Sequence, residues 1–274
     1  LLPKQLLLEG TCIPEQFFSP KPIEKDNILR VHTPAYYEKL CALTLSKAEV
    51  RGLGFPLSDA LIKREHVIAQ GTIDGAKHAL THGVAMNIAG GTHHAFRDRG
   101  EGFCMLNDQA IAANYLLTNR LAKKIMIIDL DVHQGNGTAS IFSENPNVFT
   151  LSFHGKKNYP FKKEKSDLDF EFEDGTSDYE YLSKLIEIVP DLINKYKPDF
   201  IFYLSGVDVL KNDKLGRLSL SINGCKKRDE IIISQCKERN IPIQISMGGG
   251  YSESIDEITL AHCNTYSTAK EIFF

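Results

Sequence analysis

The sequence predicts an α/β fold: a single-domain open parallel β-sheet flanked by helices on both faces, spanning residues 1–274. Three observations predict it. Short apolar, β-branched runs at Val84–Ala89, Ile125–Leu130, Val148–Phe153, Asp199–Leu204 and Ile243–Met247 alternate with segments of helical pattern. Polar or glycine-rich clusters follow these runs, and in parallel sheets ligands sit beyond the carboxyl ends of the strands. No repeat, low-complexity tract or linker divides the chain.

The elements follow in order. Leu1 to Asn27, with Pro3, Pro14, Pro20 and Pro22, reads as irregular. Thr33-Pro34 supplies an N-cap and a proline at the first helical position, predicting a helix to about Leu45. A Gly/Pro connection at Gly52–Pro56 precedes a second start at Ser58, and the helical pattern of Ala69–His82 ends at Gly83, an αL cap. After the first strand comes Gly90-Gly91-Thr92-His93-His94-Ala95-Phe96, then a loop to Gly102-Phe103-Cys104. Asn107 or Asp108 caps a helix to about Leu121. Further helices fall near Thr138–Ser143, Asp178–Tyr196, Lys226–Arg239 and Ser254–Lys270, and Gly155–Gly175 is a polar, lysine-rich excursion.

Composition narrows the function classes. Lys+Arg of 32 against Asp+Glu of 35 leaves a formal charge of −3, which gives no overall footprint for nucleic acid or an anionic membrane. No apolar run reaches the roughly 18 residues of a membrane helix. Six dispersed cysteines without a C-x-x-C pair read as reduced thiols, so a cytoplasmic location is expected. The lysines between Lys156 and Lys165 read as a solvated loop.

The chemistry concentrates after the second run. Asp129, Asp131 and His133 occupy alternate positions, so they share a face if the strand persists. Two carboxylates and an imidazole at a buried strand end are costly unless a metal ion or a hydrogen-bond network uses them. Asp131, His133 and Asp208 make a three-ligand set that leaves a position open for water or substrate. The tandem His93-His94 could divide proton transfer and electrostatic support. Tyr251, after three glycines, could offer its phenol to a developing oxyanion. Phe103 is either a tunnel wall or ordinary core.

Six motifs in order carry a resemblance: Gly90-Gly91-Thr92-His93-His94, Gly102-Phe103-Cys104, Leu106-Asn107-Asp108, Asp129-Leu130-Asp131-Val132-His133, Ser205-Gly206-Val207-Asp208 and Gly248-Gly249-Gly250-Tyr251. Together they resemble the histone deacetylase superfamily, on the arginase/deacetylase fold, from about Leu6 onward. His133-Gln134-Gly135-Asn136-Gly137 and Asn158-Tyr159-Pro160 look most like the class IV branch and its bacterial relatives. The family's usual first strand would fall upstream of Leu1.

The resemblance implies zinc-dependent hydrolysis of N-acyl-lysine, with metal-bound water attacking the amide carbonyl. It assigns zinc, or Fe2+, to Asp131, His133 and Asp208. His94 becomes general base and acid, His93 its electrostatic partner paired to Asp129, and Tyr251 the donor to the substrate carbonyl. Gly102, Phe103, Tyr159 and Gly249 would contact substrate. Potassium would sit at Asp129, Asp131, His133, Ser152 and Phe153, with a second site at Phe142, Asn145 and Val148. Asn136 departs from the class I pattern, where an Asp pairs with the second histidine; class II and IV members share the Asn. Expected partners are an acyl-lysine protein or peptide, or a small acylated amine such as an acetylpolyamine. Neither nucleic acid nor membrane is expected to bind, and the sequence leaves the oligomeric state open. An arginase-like dimanganese site is disfavoured, because Gly135 and Leu210 stand where its bridging carboxylates would be. A broken ligand set would favour a non-catalytic acyl-group reader on this fold, but every metal and proton-transfer position is occupied.

Overall fold

A computed structural model describes residues 1–274. Six parallel strands form one sheet: β1 (Val84–Asn87), β2 (Ile125–Asp129), β3 (Val148–Gly155), β4 (Leu168–Phe172), β5 (Phe200–Leu204) and β6 (Ile243–Ser246). Their order is β1-β6-β5-β2-β3-β4, and every pairing is parallel. From β2 the chain steps outward to β3 and β4; β5 then returns to the other side of β2, and β6 follows beyond it. The β2/β5 boundary is therefore a topological switch point, where a crevice opens beyond the strand ends.

Alternation of side chains divides the core in two. Ile125, Ile127, Phe200 and Phe202 face one layer, with Ile73 and Ala76 of α5 (Asp59–His82) and Ile111 of α6 (Asp108–Thr118). Met126, Ile128, Ile201 and Tyr203 face the other. There they meet Leu185 of α8 (Asp178–Tyr196), Ile232 of α9 (Ile222–Glu238) and Ala269 of α10 (Ile255–Phe273). No helix is long and apolar enough to cross a membrane, and all six cysteines are free.

Local chemistry explains the boundaries. Ser58 Oγ accepts from Leu61 N at 3.2 Å and starts α5. Asn107 rather than Asp108 caps α6, accepting from Ala110 N at 3.0 Å. Four expectations change. The N-terminal stretch is not all irregular: α1 (Leu2–Leu8) and α2 (Lys25–Leu29) form, and α1 tolerates Pro3 because it lies in the first turn, where a missing N–H costs nothing. Leu2 and Leu6 then bury against Cys263 and Tyr266. The helix opened by Thr33, α3, stops at Cys41, since Leu43 adopts φ +56°. Ser46 and Glu49 form a reciprocal capping box for an unforeseen α4 (Lys47–Leu53). The excursion after Gly155 contains β4, which pairs with β3 along its length. A short α7 (Asn136–Phe142) follows the β2 motif.

One fully buried cation fastens the switch point. Arg228 of α9 donates to the carbonyls of Leu130 (3.1 Å), Gly206 (2.6 Å) and Ser205 (3.3 Å), just beyond β2 and β5. Asp229 neutralises it at 2.8 Å and also accepts from the hydroxyls of Tyr203 (2.5 Å) and Thr265 (2.6 Å). Replacing Asp229 with Ala leaves an unpaired buried guanidinium. We expect a loss of about 3–5 kcal/mol in a urea titration; a loss below about 1 kcal/mol, the scale of an exposed pair, would show that the pair is not the anchor.

Candidate active site

The β2 strand ends at Asp129, and the chain then coils rather than extending. Asp129 Oδ1 accepts from Asp131 N at 3.1 Å, and Asp131 Oδ1 accepts from His133 N at 3.0 Å. This side-chain-to-backbone bonding replaces ladder bonds and separates the three residues that alternation would put on one face. Asp129 turns to His93, whose Nδ1 lies 2.6 Å from its Oδ2. Asp131 and His133 turn to Asp208, which arrives on the loop after β5.

Asp131, His133 and Asp208 are all buried, with candidate ligand atoms within 4.8 Å of one another. His133 Nδ1 stands 3.0 Å from Asp131 Oδ1 and 3.1 Å from Asp208 Oδ2. Backbone N–H groups hold the carboxylates: Gly249 donates to Asp131 Oδ2 at 2.8 Å and Val132 to Asp208 Oδ1 at 3.0 Å. A Cβ at Gly249 would collide with the Asp208 carboxylate, so only glycine lets this loop approach. Gly249 thus grips a carboxylate, a role the sequence did not suggest. Two hard oxygens and one imidazole nitrogen converge on one point, with a position left to a ligand. The residues fit a divalent ion such as zinc.

Electrostatics fit the same reading. Burial pulls the His133 pKa down, but its bonds to Asp131 and Asp208 outweigh that and lift it to about 10. Burial and the nearby Asp131 charge push Asp208 up to about 7. Burial likewise opposes a charge on His93, yet Asp129 and Asp131 raise it to about 9. His94 goes the other way, well below its usual value, through burial and the charge on His93. The rings of the two histidines are 4.1 Å apart. His94 Nδ1 lies 2.6 Å from Asn136 Oδ1, an acceptor, so Nδ1 carries the proton and Nε2 is bare.

A cleft of about 300 Å³ leads to this floor, lined among others by His94, Gly102, Phe103, Tyr159 and Tyr251. A second cavity of about 260 Å³ shares His94, Gly102, Phe103 and Tyr251 with the cleft and is also lined by His93 and Asp131. Tyr159 meets His94 edge-on at 4.9 Å, and Phe103 lies 6.3 Å from the Tyr251 ring. Phe103 is 47% exposed with φ +66°, which marks it as cleft wall and not core. A Cβ at Gly102, whose φ is +51°, would lie 2.6 Å from the His94 ring. Burial keeps the Tyr251 phenol protonated by raising its pKa.

At the expected potassium sites, Ser152 stands beside Asp129 in the ladder, and its Oγ lies 2.9 Å from His154 Nδ1; Phe153 follows it in β3. The carbonyls of Phe142 and Asn145 accept from Asn145 N (2.9 Å) and Val148 N (3.1 Å). Three further side chains shape the site; two of them, Gln134 and Asp108, lie within the motifs named above, but none was assigned a role in the site from the sequence. Gln134 donates to the Glu164 carbonyl (2.7 Å) and accepts from Glu164 N (2.9 Å), tying down the lysine-rich loop. Asp108 accepts from Gly91 N, Thr92 N and Thr92 Oγ1, shaping the loop that carries the histidines. Glu101 accepts from Tyr159 and Arg99.

Comparison with known proteins identifies the family. The family model described as the histone deacetylase domain matches residues 2–266. An uncharacterised protein of Picosynechococcus sp. is 40% identical over all of this chain and 91% of its own. Histone deacetylase 2 of Arabidopsis thaliana is 32% identical over 92% of this chain and 67% of its own. Histone deacetylase B of Dictyostelium discoideum is 28% identical over 92% of this chain and 63% of its own. The crystal structure of the HDA15 HD domain superposes with a TM-score of 0.81 over 98% of this chain and 80% of its own, at 21% identity, a likeness of fold.

Metal uptake should be coupled to proton release. His133, with its pKa near 10, is protonated at pH 7, and a metal must displace that proton. Titrating zinc into chelator-stripped protein in buffers of different ionisation enthalpy should show about one to two protons released per ion, with affinity rising from pH 6 to pH 8. Binding without proton release would remove His133 from the ligand set.

Proposed function

The chain belongs to the histone deacetylase family, and from that premise we propose that it is a metal-dependent amide hydrolase acting on N-acyl-lysine in a protein or peptide. One observation carries the reading. At the floor of an open cleft, a buried three-donor cluster adjoins two histidines, one bonded through Nδ1 to a carboxylate and the other to an amide oxygen.

A zinc or ferrous ion held by Asp131, His133 and Asp208 would polarise the substrate carbonyl and acidify water. The protein's own groups do the rest. Neutral His94, its Nδ1–H fixed on Asn136, uses Nε2 to take a proton from the attacking water and then delivers it to the departing amine. Cationic His93, anchored by Asp129, opposes protonation of His94 until charge develops and favours the negative charge on the carbonyl oxygen. The Tyr251 phenol remains a donor to that oxygen. Phe103 and Tyr159 flank the aliphatic stem of the lysine, and Gly102 lets it pass close to His94.

The His133-Gln134-Gly135-Asn136-Gly137 stretch and the Asn158-Tyr159-Pro160 segment favour a class IV-like assignment. A structural potassium ion would draw on the Asp129 and Ser152 neighbours.

The zinc-loaded protein should release acetate from an acetyl-lysine peptide. Tyr251→Phe should lower kcat about 100-fold, the scale of losing one donor to an oxyanion, while zinc content stays the same. Full activity in that variant, or no hydrolysis by the metal-replete protein, would overturn the reading. Faster turnover of acetylputrescine than of the peptide would transfer it to small acylated amines.

A further inference from the structure

Glu101 is a carboxylate beside the proton-transfer histidine that the mechanism above leaves unused. It is held on several sides. Its backbone exchanges hydrogen bonds with Cys104 at 3.1 and 2.8 Å. Its Oε1 accepts from Arg99 Nε at 2.6 Å, and Arg99 in turn lies over the Phe96 ring at 3.6 Å. Its Oε2 accepts from the Tyr159 hydroxyl at 2.8 Å and faces Asn136 Nδ2 at 3.5 Å. On the far side of that amide, Asn136 Oδ1 meets His94 Nδ1 at 2.6 Å.

An amide side chain can present either end to its neighbours. With Asn136 turned as it is, the positive end of its dipole meets the Glu101 carboxylate. Turned over, its oxygen would oppose that carboxylate, and its NH2 would face His94. His94 Nδ1 would then have to accept, the proton would move to Nε2, and the nitrogen facing the cleft would no longer be a base. The choice of amide orientation is therefore the choice of His94 tautomer. At 3.5 Å the contact is too long for a strong hydrogen bond, but the sign of the dipole still selects one orientation in a largely buried site.

We propose that Glu101 is a positioning residue for His94. Acting through the Asn136 amide, it fixes the Nδ1–H tautomer, and with its other contacts it holds Tyr159 against the same ring. The inference rests on the reading of His94 as the residue that moves the proton. It has a corollary: this axis has room for one carboxylate, either at 101 behind an amide or at 136 in direct contact with His94, but not both.

The test combines ring ¹⁵N NMR of His94 with kinetics on an acetyl-lysine peptide. Wild type should show the Nδ1–H tautomer. Glu101→Gln keeps shape and removes charge; it should give mixed tautomers and lower kcat by about 10–100-fold, the range for groups that orient a reacting residue, with a smaller change in KM. Tyr159→Phe, which removes the other contact on Oε2, should leave the tautomer unchanged. Asn136→Asp alone should depress kcat, and adding Glu101→Gln to it should restore at least about tenfold, a coupling opposite in sign to additive damage. An unchanged tautomer and kcat in Glu101→Gln, or additive losses in the double variant, would overturn the proposal. A wild type with the fixed tautomer but no amide hydrolysis would instead overturn the function proposed above and leave the positioning role standing.

Discussion

Two buried carboxylates, Asp131 and Asp208, face the same imidazole, and the site is organised around keeping them there. Like charges in a poorly solvated place repel strongly, and burial itself disfavours each anion. Three compensations act together. Backbone N–H groups of His133, Val132 and Gly249 donate to the carboxylates. The raised pKa of His133 shows how strongly the pair demands a positive charge between them. Glycines at 206 and 249 let the chain close around oxygens that a Cβ would strike. A divalent ion satisfies that demand more completely than one proton does, so the electrostatic cost of the site is also its selectivity for a cation.

The same demand reaches into the fold through single peptides. The Leu130 carbonyl accepts from Arg228, and the N–H of that peptide, on Asp131, donates to Asp129. A buried cation and a buried anion thus pull one peptide from opposite ends. At the end of β5, the Gly206 carbonyl accepts from Arg228 while Val207 N donates to the Gly249 carbonyl at 2.7 Å. Gly249 N in turn grips Asp131. The strand ends at the switch point are therefore cross-linked by polar bonds in a loop that runs from Arg228 to the ligand cluster and back. Packing of the sheet sets where the strands end; this circuit sets where the side chains point.

Features that repeat in sequence were legible, and features that depend on distant partners were not. Buried strands announce themselves as apolar runs, which is why β2, β3, β5 and β6 fall within a residue or two of expectation. The β4 segment, Leu168-Asp169-Phe170-Glu171-Phe172, has the two-residue alternation of a half-buried edge strand, but it follows a run of lysines that dominates a reading by composition. The regular alternation of Asp129, Asp131 and His133 implied one shared face; the chain instead coils at Asp129, which turns to His93 while Asp131 and His133 turn to Asp208. Arg228 and Glu101 carry no local pattern, and the motif that holds Gln134 does not reveal its partner. Arg228 meets Leu130 across 98 residues, Gln134 meets Glu164 across 30 and Glu101 meets Tyr159 across 58, separations that only the folded chain reveals.

His93 and His94 are the same residue at consecutive positions, and the partner of each Nδ1 is what separates them. A carboxylate on His93 holds a proton there, and that charge, 4.1 Å away, drives His94 toward neutrality. A second carboxylate in direct contact with His94 would work against this division by stabilising a second cation beside the first. An amide accepts the Nδ1–H without adding a full charge, so it orients the ring while leaving it neutral. Placing a carboxylate one group further out, at Glu101, retains the orienting dipole and weakens the field at the ring. The split between a charged and a neutral histidine thus follows from where two anions sit relative to two identical rings, and the Asn136 amide is the spacer that sets the second distance.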